Sequence, residues 1–271
     1  MRVGLEGVRL HHRCWGRSGP RLLLLHAIGL DHVSWEPVAA ELGRAAEVVA
    51  VDLPGHGASD KPSNGDYSLR SLGRRVIQFL DELGWEEAIL VGNSLGGGTS
   101  LSVTIQAPHR VRALGLFDSV GYRWGLPPMA RLGFLPVVAP AVCRFSPTPL
   151  TRLGLSVARH GLGVVPHERG QRVRNYLKDP HGTRAFLQTL KQLHGPDLDE
   201  LAVHYPRIRQ PALVVHGDSD LLVPPRHSEE LAKVLPGARL AKIPRCGHFP
   251  QEEQPETALR LIRELLEEVS G

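Results

Sequence analysis

Apolar residues fall in short unbroken runs along the chain, LLLL at 22–25, VVAV at 48–51, AILV at 88–91 and ALVV at 212–215, and between them they recur every three or four positions. Unbroken runs suit strands covered on both faces, whereas the three-to-four spacing suits amphipathic helices. The pattern predicts a hairpin over 2–5 and 8–14 turning at Glu6 and Gly7, then strand 21–26, helix 34–43, strand 46–51, helix 68–83 and strand 87–92. Helix 95–107 follows, stopped by Pro108, and then strand 112–117. Later come strand 211–216, helix 226–235, strand 238–243 and a final helix 256–269, with Ala258, Leu259, Ile262, Leu265, Leu266 and Val269 on one stripe. Such alternation predicts an α/β fold with a doubly wound, mostly parallel sheet.

Residues 120–205 break the rhythm. They hold Pro127, Pro128, Pro136, Pro140, Pro147 and Pro149, the aromatics Tyr122, Trp124, Phe134, Phe145, Tyr176 and Phe186, and helical stretches at 168–178 and 183–194. The segment interrupts the sheet between two strands whose loops should open on the same edge. It is read as an inserted, mainly helical cap over 120–205, leaving 1–119 and 206–271 as the core.

Composition acts by exclusion. With 271 residues and 42% hydrophobic content the chain can bury one large core. The net charge of +4 comes from scattered arginines, without a basic block or interleaved aromatics, so no nucleic-acid partner is expected. Cys14, Cys143 and Cys246 are odd in number and widely spaced, which predicts neither disulfides nor a zinc site and suits a reducing, cytoplasmic setting. The N-terminal stretch has no apolar signal region, and LLLLHAIGL is too short and too late for a signal peptide or a span, so no membrane partner is expected. Homodimerisation stays open.

Candidate chemistry begins at VGNSLGG, 91–97, where a serine sits among glycines directly after an apolar run. A G-x-S-x-G pattern alone is weak, but here it lies between a predicted strand and a predicted helix, the context of a nucleophile elbow. Ser94 would stand at the N-terminus of that helix, where backbone N–H groups favour developing negative charge. A serine hydroxyl needs a base, and the base needs an orienting acid. Of the 14 histidines, His248 in RCGHFPQEEQPE follows the last predicted strand and so reaches the same sheet edge. VVHGDSDLLVPP offers Asp218 and Asp220 just after strand 211–216, and Ser94, Asp220 and His248 occur in the order serine, acid, histidine.

With these residues in place the chain resembles the α/β-hydrolases, and within them the cap-bearing group of esterases, enol-lactonases, haloperoxidase-like enzymes, haloalkane dehalogenases, epoxide hydrolases and meta-cleavage carbon–carbon hydrolases. LLLLHAIGLD, VVAVDLPGHGASDKP, AILVGNSLGGG, APHRVRALGLFDSVG, GDSDLLVPP and CGHFPQEEQPE match family landmarks in order. The resemblance implies Asp220 as the acid, the second aspartate of its G-x-x-D element. It also implies an oxyanion hole from the backbone N–H groups of Ile28 and Leu95, although Ala27 stands where glycine is usual. Dehalogenases and epoxide hydrolases carry an aspartate at the position of Ser94, so this chain departs from them. His26, His56 and Asp52 are implied as loop braces. Asp118 is the rival acid, because some relatives place theirs on that strand end.

The expected activity is a serine hydrolase acting on a small or medium ester or lactone through an acyl-enzyme, with no metal or organic cofactor and a small molecule as its partner. A meta-cleavage carbon–carbon hydrolase is the alternative. Asn93 beside the nucleophile favours it, as do Arg123, Arg144 and Arg174, which could hold a substrate carboxylate; Phe249 after His248, where that group has tryptophan, speaks against it. A non-catalytic ligand-binding protein on the same fold is the third reading.

Overall fold

The computed structural model describes residues 1–5, 7–123 and 138–270. Glu6, Trp124, Pro127, Pro128, Phe134 and Pro136, used above to read the hairpin turn and the cap, lie outside them. In chain order the core opens with β1 (Arg2–Leu5), β2 (Val8–Trp15), β3 (Arg21–Leu25), α1 (Glu36–Leu42) and β4 (Glu47–Val51). It continues with α2 (Leu69–Glu82), β5 (Ala88–Asn93), α3 (Leu95–Gln106) and β6 (Val111–Phe117). Between β6 and β7 lie α4 (Val138–Phe145), α5 (Thr148–Val157), α6 (His167–Lys178), α7 (Pro180–Gln192) and α8 (Asp197–Ala202). The chain ends with β7 (Ala212–Gly217), α9 (Pro225–Val234), β8 (Arg239–Ile243), α10 (Pro250–Glu253) and α11 (Pro255–Ser270).

Among the described residues, eight strands form one sheet in the order β1-β2-β4-β3-β5-β6-β7-β8, with β2 antiparallel to both β1 and β4 and the remaining pairs parallel. The unbroken apolar runs divide between its faces. Leu23 and Leu25 of β3 pack with Val76 and Phe79 of α2, while Leu22 and Leu24 pack with Val38 of α1 and with Ile262 and Leu265 of α11. Each residue of these runs is therefore buried whichever way it points, which is why the runs show no alternation. The predicted stripe on the last helix is its packing face, with Ala258, Ile262, Leu265 and Leu266 buried and Leu259 and Val269 packed at its margin.

This order places the site. From β3 the chain steps outward to β4, then returns past β3 to β5 and proceeds the other way. Loops leaving the carboxyl ends of β3 and β5 thus part in opposite directions and open a crevice at that switch point. Among the described residues, no helix is long and apolar enough to cross a membrane.

Candidate active site

Ser94 is the single residue between β5 and α3, with φ 54° and ψ −111°. Few residues other than glycine adopt such a φ. Here the backbone enforces it: the Ser94 N–H donates to Phe117 O at 2.9 Å, and Ser94 O accepts from Gly98 N at 3.1 Å and Val120 N at 3.2 Å. The flanking glycines make room, since a Cβ on Gly92 would strike the backbone of Gly96 and one on Gly96 would strike the carbonyl of Leu25. No side chain caps α3, so its first N–H groups and the positive end of its dipole are free to meet an anion beside Ser94.

The candidate base and acid come from the loops after β8 and β7. His248 Nδ1 and Asp220 Oδ2 are 2.8 Å apart, with side chains 3% and 0% exposed. Burial by itself would raise the Asp220 carboxyl, but His248 and the N–H groups of Leu222 and Val223 outweigh it and hold the acid below the usual carboxylate range. Those N–H groups donate to Asp220 Oδ1 at 2.7 and 3.2 Å. Asp218 is exposed and accepts only from the neighbouring Ser219 hydroxyl among its side-chain partners. Of the two aspartates in the loop, it is Asp220 that the fold turns inward.

Residues to which the sequence reading gave no such role hold His248 in place. Its N–H donates to Ala158 O, just beyond α5, at 2.8 Å, and its carbonyl accepts from Asn93 Nδ2 at 3.0 Å. The Glu253 carboxylate accepts from Gly247 N at 3.1 Å and Phe249 N at 3.1 Å, one on each side of the histidine, and from His160 N at 2.9 Å. Asn93 also donates to Phe117 O and accepts from Gln251 Nε2, so its buried amide is consumed in tying the elbow to the histidine loop. Glu253 lay in a quoted motif, but nothing in QEEQPE tells which glutamate turns back.

Ile28 is half-buried and Leu95 fully buried. Leu25 pairs with Gly92, so the loop bearing Ile28 and the start of α3 bearing Leu95 leave adjoining strand ends. His26 braces that loop: Nδ1 donates to Ala27 O at 2.7 Å while Nε2 accepts from Leu53 N at 2.9 Å, and burial lowers its pKa. Phe186 of α7 packs over Gly29 of the same loop. His56 stacks on Tyr176 of α6, the ring centroids 5.6 Å apart.

Among the described residues, two groups of three donors have spacing that suits a metal ion: His11, His32 and Asp52, and Asp118, Asp220 and His248. In the first, Asp52 already accepts from His32 N, His32 Nδ1, Ala58 N and His11 Nδ1 at 2.7–3.1 Å, which makes it a hub for the loops after β3 and β4. A cation would have to displace both imidazole donors. In the second, Asp118 shares the pocket of Asp220 and His248. The arginines considered for a substrate carboxylate are engaged elsewhere: Arg123 pairs with Asp199 at 3.0 Å, Arg174 Nε donates to Ser146 O, and the Arg144 guanidinium lies over the exposed Phe145 ring.

Residues 20–255 match the family described as alpha/beta hydrolase fold. The chain is 32% identical to 2-hydroxymuconate semialdehyde hydrolase of Pseudomonas putida, over 83% of this chain and 78% of that one. It is 29% identical to pimeloyl-[acyl-carrier protein] methyl ester esterase of Nitrosomonas europaea, over 88% of this chain and 92% of that one. Among solved structures, a meta-cleavage product hydrolase from Pseudomonas fluorescens superposes with a TM-score of 0.85 at 25% identity, covering 99% and 97% of the two chains.

Proposed function

From the premise that this chain belongs to the α/β-hydrolase fold family, we propose that it is a serine hydrolase that cleaves a small or medium ester or lactone through an acyl-enzyme. The observation that carries the reading is the 2.8 Å bond between Asp220 and His248 on the same sheet edge as the strained Ser94 elbow. Ser94 Oγ attacks the carbonyl carbon while His248 Nε2 takes its proton, and Asp220 holds the Nδ1–H tautomer and offsets the charge on the imidazolium. The oxyanion rests on the N–H groups of Ile28 and Leu95 at the start of α3. His248 returns the proton to the leaving oxygen, and water then repeats the sequence to free the acid. The helices between β6 and β7 act as a cap that walls the crevice, with Phe186 over the oxyanion loop. A fluorophosphonate probe tests this: it should label the wild type and not Ser94→Ala, and labelling of both would overturn it.

Carbon–carbon cleavage of a dienone carboxylate is the second reading, favoured by the two relatives that hydrolyse such ring-cleavage products by name. Against it, Arg123 pairs with Asp199 and Arg174 Nε with Ser146 O, so either would have to give up a partner or turn to hold a carboxylate. The deciding measurement is kcat/KM for p-nitrophenyl esters and lactones beside a ring-cleavage dienone. A dienone preferred by more than about a hundredfold, roughly 2.7 kcal/mol, would replace the ester reading.

A further inference from the structure

Asp118 and Asp220 compete in the sequence for one role, yet the fold brings both to one place. One carboxylate oxygen from each and one ring nitrogen of His248 all lie within 4.8 Å of one another. Asp118 sits just past β6 with φ 43°, a left-handed conformation that aspartate and asparagine tolerate better than most residues. Its side chain is completely buried. Oδ1 accepts from Gly217 N at 2.9 Å and stands 3.3 Å from His216 Nδ1. Among the described residues, Oδ2 receives no N–H or hydroxyl donor. Asp220, by contrast, has three donors on its two oxygens.

We propose that Asp118 is a positioning residue for Asp220: it keeps its own proton and donates a hydrogen bond from Oδ2 to the Asp220 carboxylate, so that one negative charge, held by two acids, stands behind His248. This rests on the assignment of Ser94, His248 and Asp220 made above. An ionised Asp118 would leave a buried oxygen bare and facing a second carboxylate. The groups that face it are His216 and Asp220 from β7 and its loop, His248 and Cys246 from the loop after β8, and Glu253 from α10. None of these is a lysine or arginine. Like charges this close do not both ionise, and the proton goes to the acid with fewer donors. Burial pushes the Asp118 carboxyl well above the usual range, and the charge on Asp220 pushes it the same way. The donated bond fixes the Asp220 carboxylate against rotation and so fixes the imidazole that it orients.

The test compares Asp118→Asn, Asp118→Ala and wild type. Asparagine keeps an acceptor for Gly217 N–H, supplies an N–H donor toward Asp220 and tolerates the left-handed backbone. Asp118→Ala should lose about 10- to 100-fold in kcat with KM little changed, the range for a group that acts through another. Asp118→Asn should recover most of that loss. Raising the pH strips the Asp118 proton and sets two carboxylates against each other, so wild-type kcat should fall on the alkaline side and the Asp118→Asn variant should lack that limb. Infrared difference spectra of wild type minus Asp118→Asn should show a protonated-carboxyl band at neutral pH, a readout that stands even where Asp118→Ala does not fold. The proposal is overturned by a folded Asp118→Asn as damaged as Asp220→Asn, by an Asp118→Ala with wild-type kcat, or by the absence of that band. Should Ser94→Ala retain hydrolysis, the serine reading fails instead, and the infrared band still decides the state of Asp118.

Discussion

At Ser94 the chemistry is a hydroxyl and the structure is everything around it. Ser94→Ala removes one oxygen from a backbone held by Phe117, Gly98 and Val120, so the melting temperature should barely move while kcat falls by roughly 10⁴ to 10⁶. Steady-state kinetics beside a thermal melt checks both halves. Glu253 makes the opposite case. It touches no reacting atom, but the three N–H groups it accepts bracket His248 and reach His160. Glu253→Ala should therefore cost about 10- to 100-fold in kcat with little change in KM, in the manner of a group that orients another. The meeting of Asp220 with His248 on the sheet edge that carries Ser94 was legible, because motif and strand order announce it. Glu253, Asn93 and Ala158 were not, because a side chain or carbonyl that folds back on a neighbouring loop leaves no periodic trace in sequence.

Among the elements, the strands were read to within about a residue, since apolar runs buried on both faces have sharp polar ends. The segment after β6 was harder, and proline is the reason. The sequence pattern placed no helix at α5 and started α7 late, whereas in the structure Pro149 and Pro180 occupy first-turn positions where the missing N–H costs nothing. Asp179 caps α7 by accepting from His181 N, so that helix begins three residues before the sequence pattern suggested. Between elements, one tie is ionic. Glu252 of α10 pairs with Arg159 and with Arg169 of α6, both nearly buried, while Asp31 of the loop after β3 pairs with Arg169 and with Arg172. Glu252→Ala would leave two guanidinium groups short of a counter-charge, and urea unfolding should record a loss of about 3–5 kcal/mol. A change of less than 1 kcal/mol would mean that water replaces the carboxylate without cost.

Across the whole molecule, buried histidines set the response to acid. Burial lowers His11, His26 and His216, takes His12 and His227 down to about 4, and takes His56 down to about 3. The unfolded chain takes up protons near pH 6.5 that the folded chain refuses, so stability falls as the pH drops from about 6.5 toward 4. Asp52 and Asp220, both lowered, add stability above about pH 4 that is lost on further acidification. Melting temperatures across this window should decline steadily, and His12→Gln should flatten part of the fall. The bond from the His248 N–H to Ala158 O has a further use as a clock. That amide exchanges with solvent deuterium only when the 158–160 turn lifts, so its protection factor measures how often that turn parts from the histidine loop, without any substrate being present. If exchange at His248 proves as slow as at the centre of β5, the turn is a fixed post, and molecules must enter by the movement of some other part of the wall.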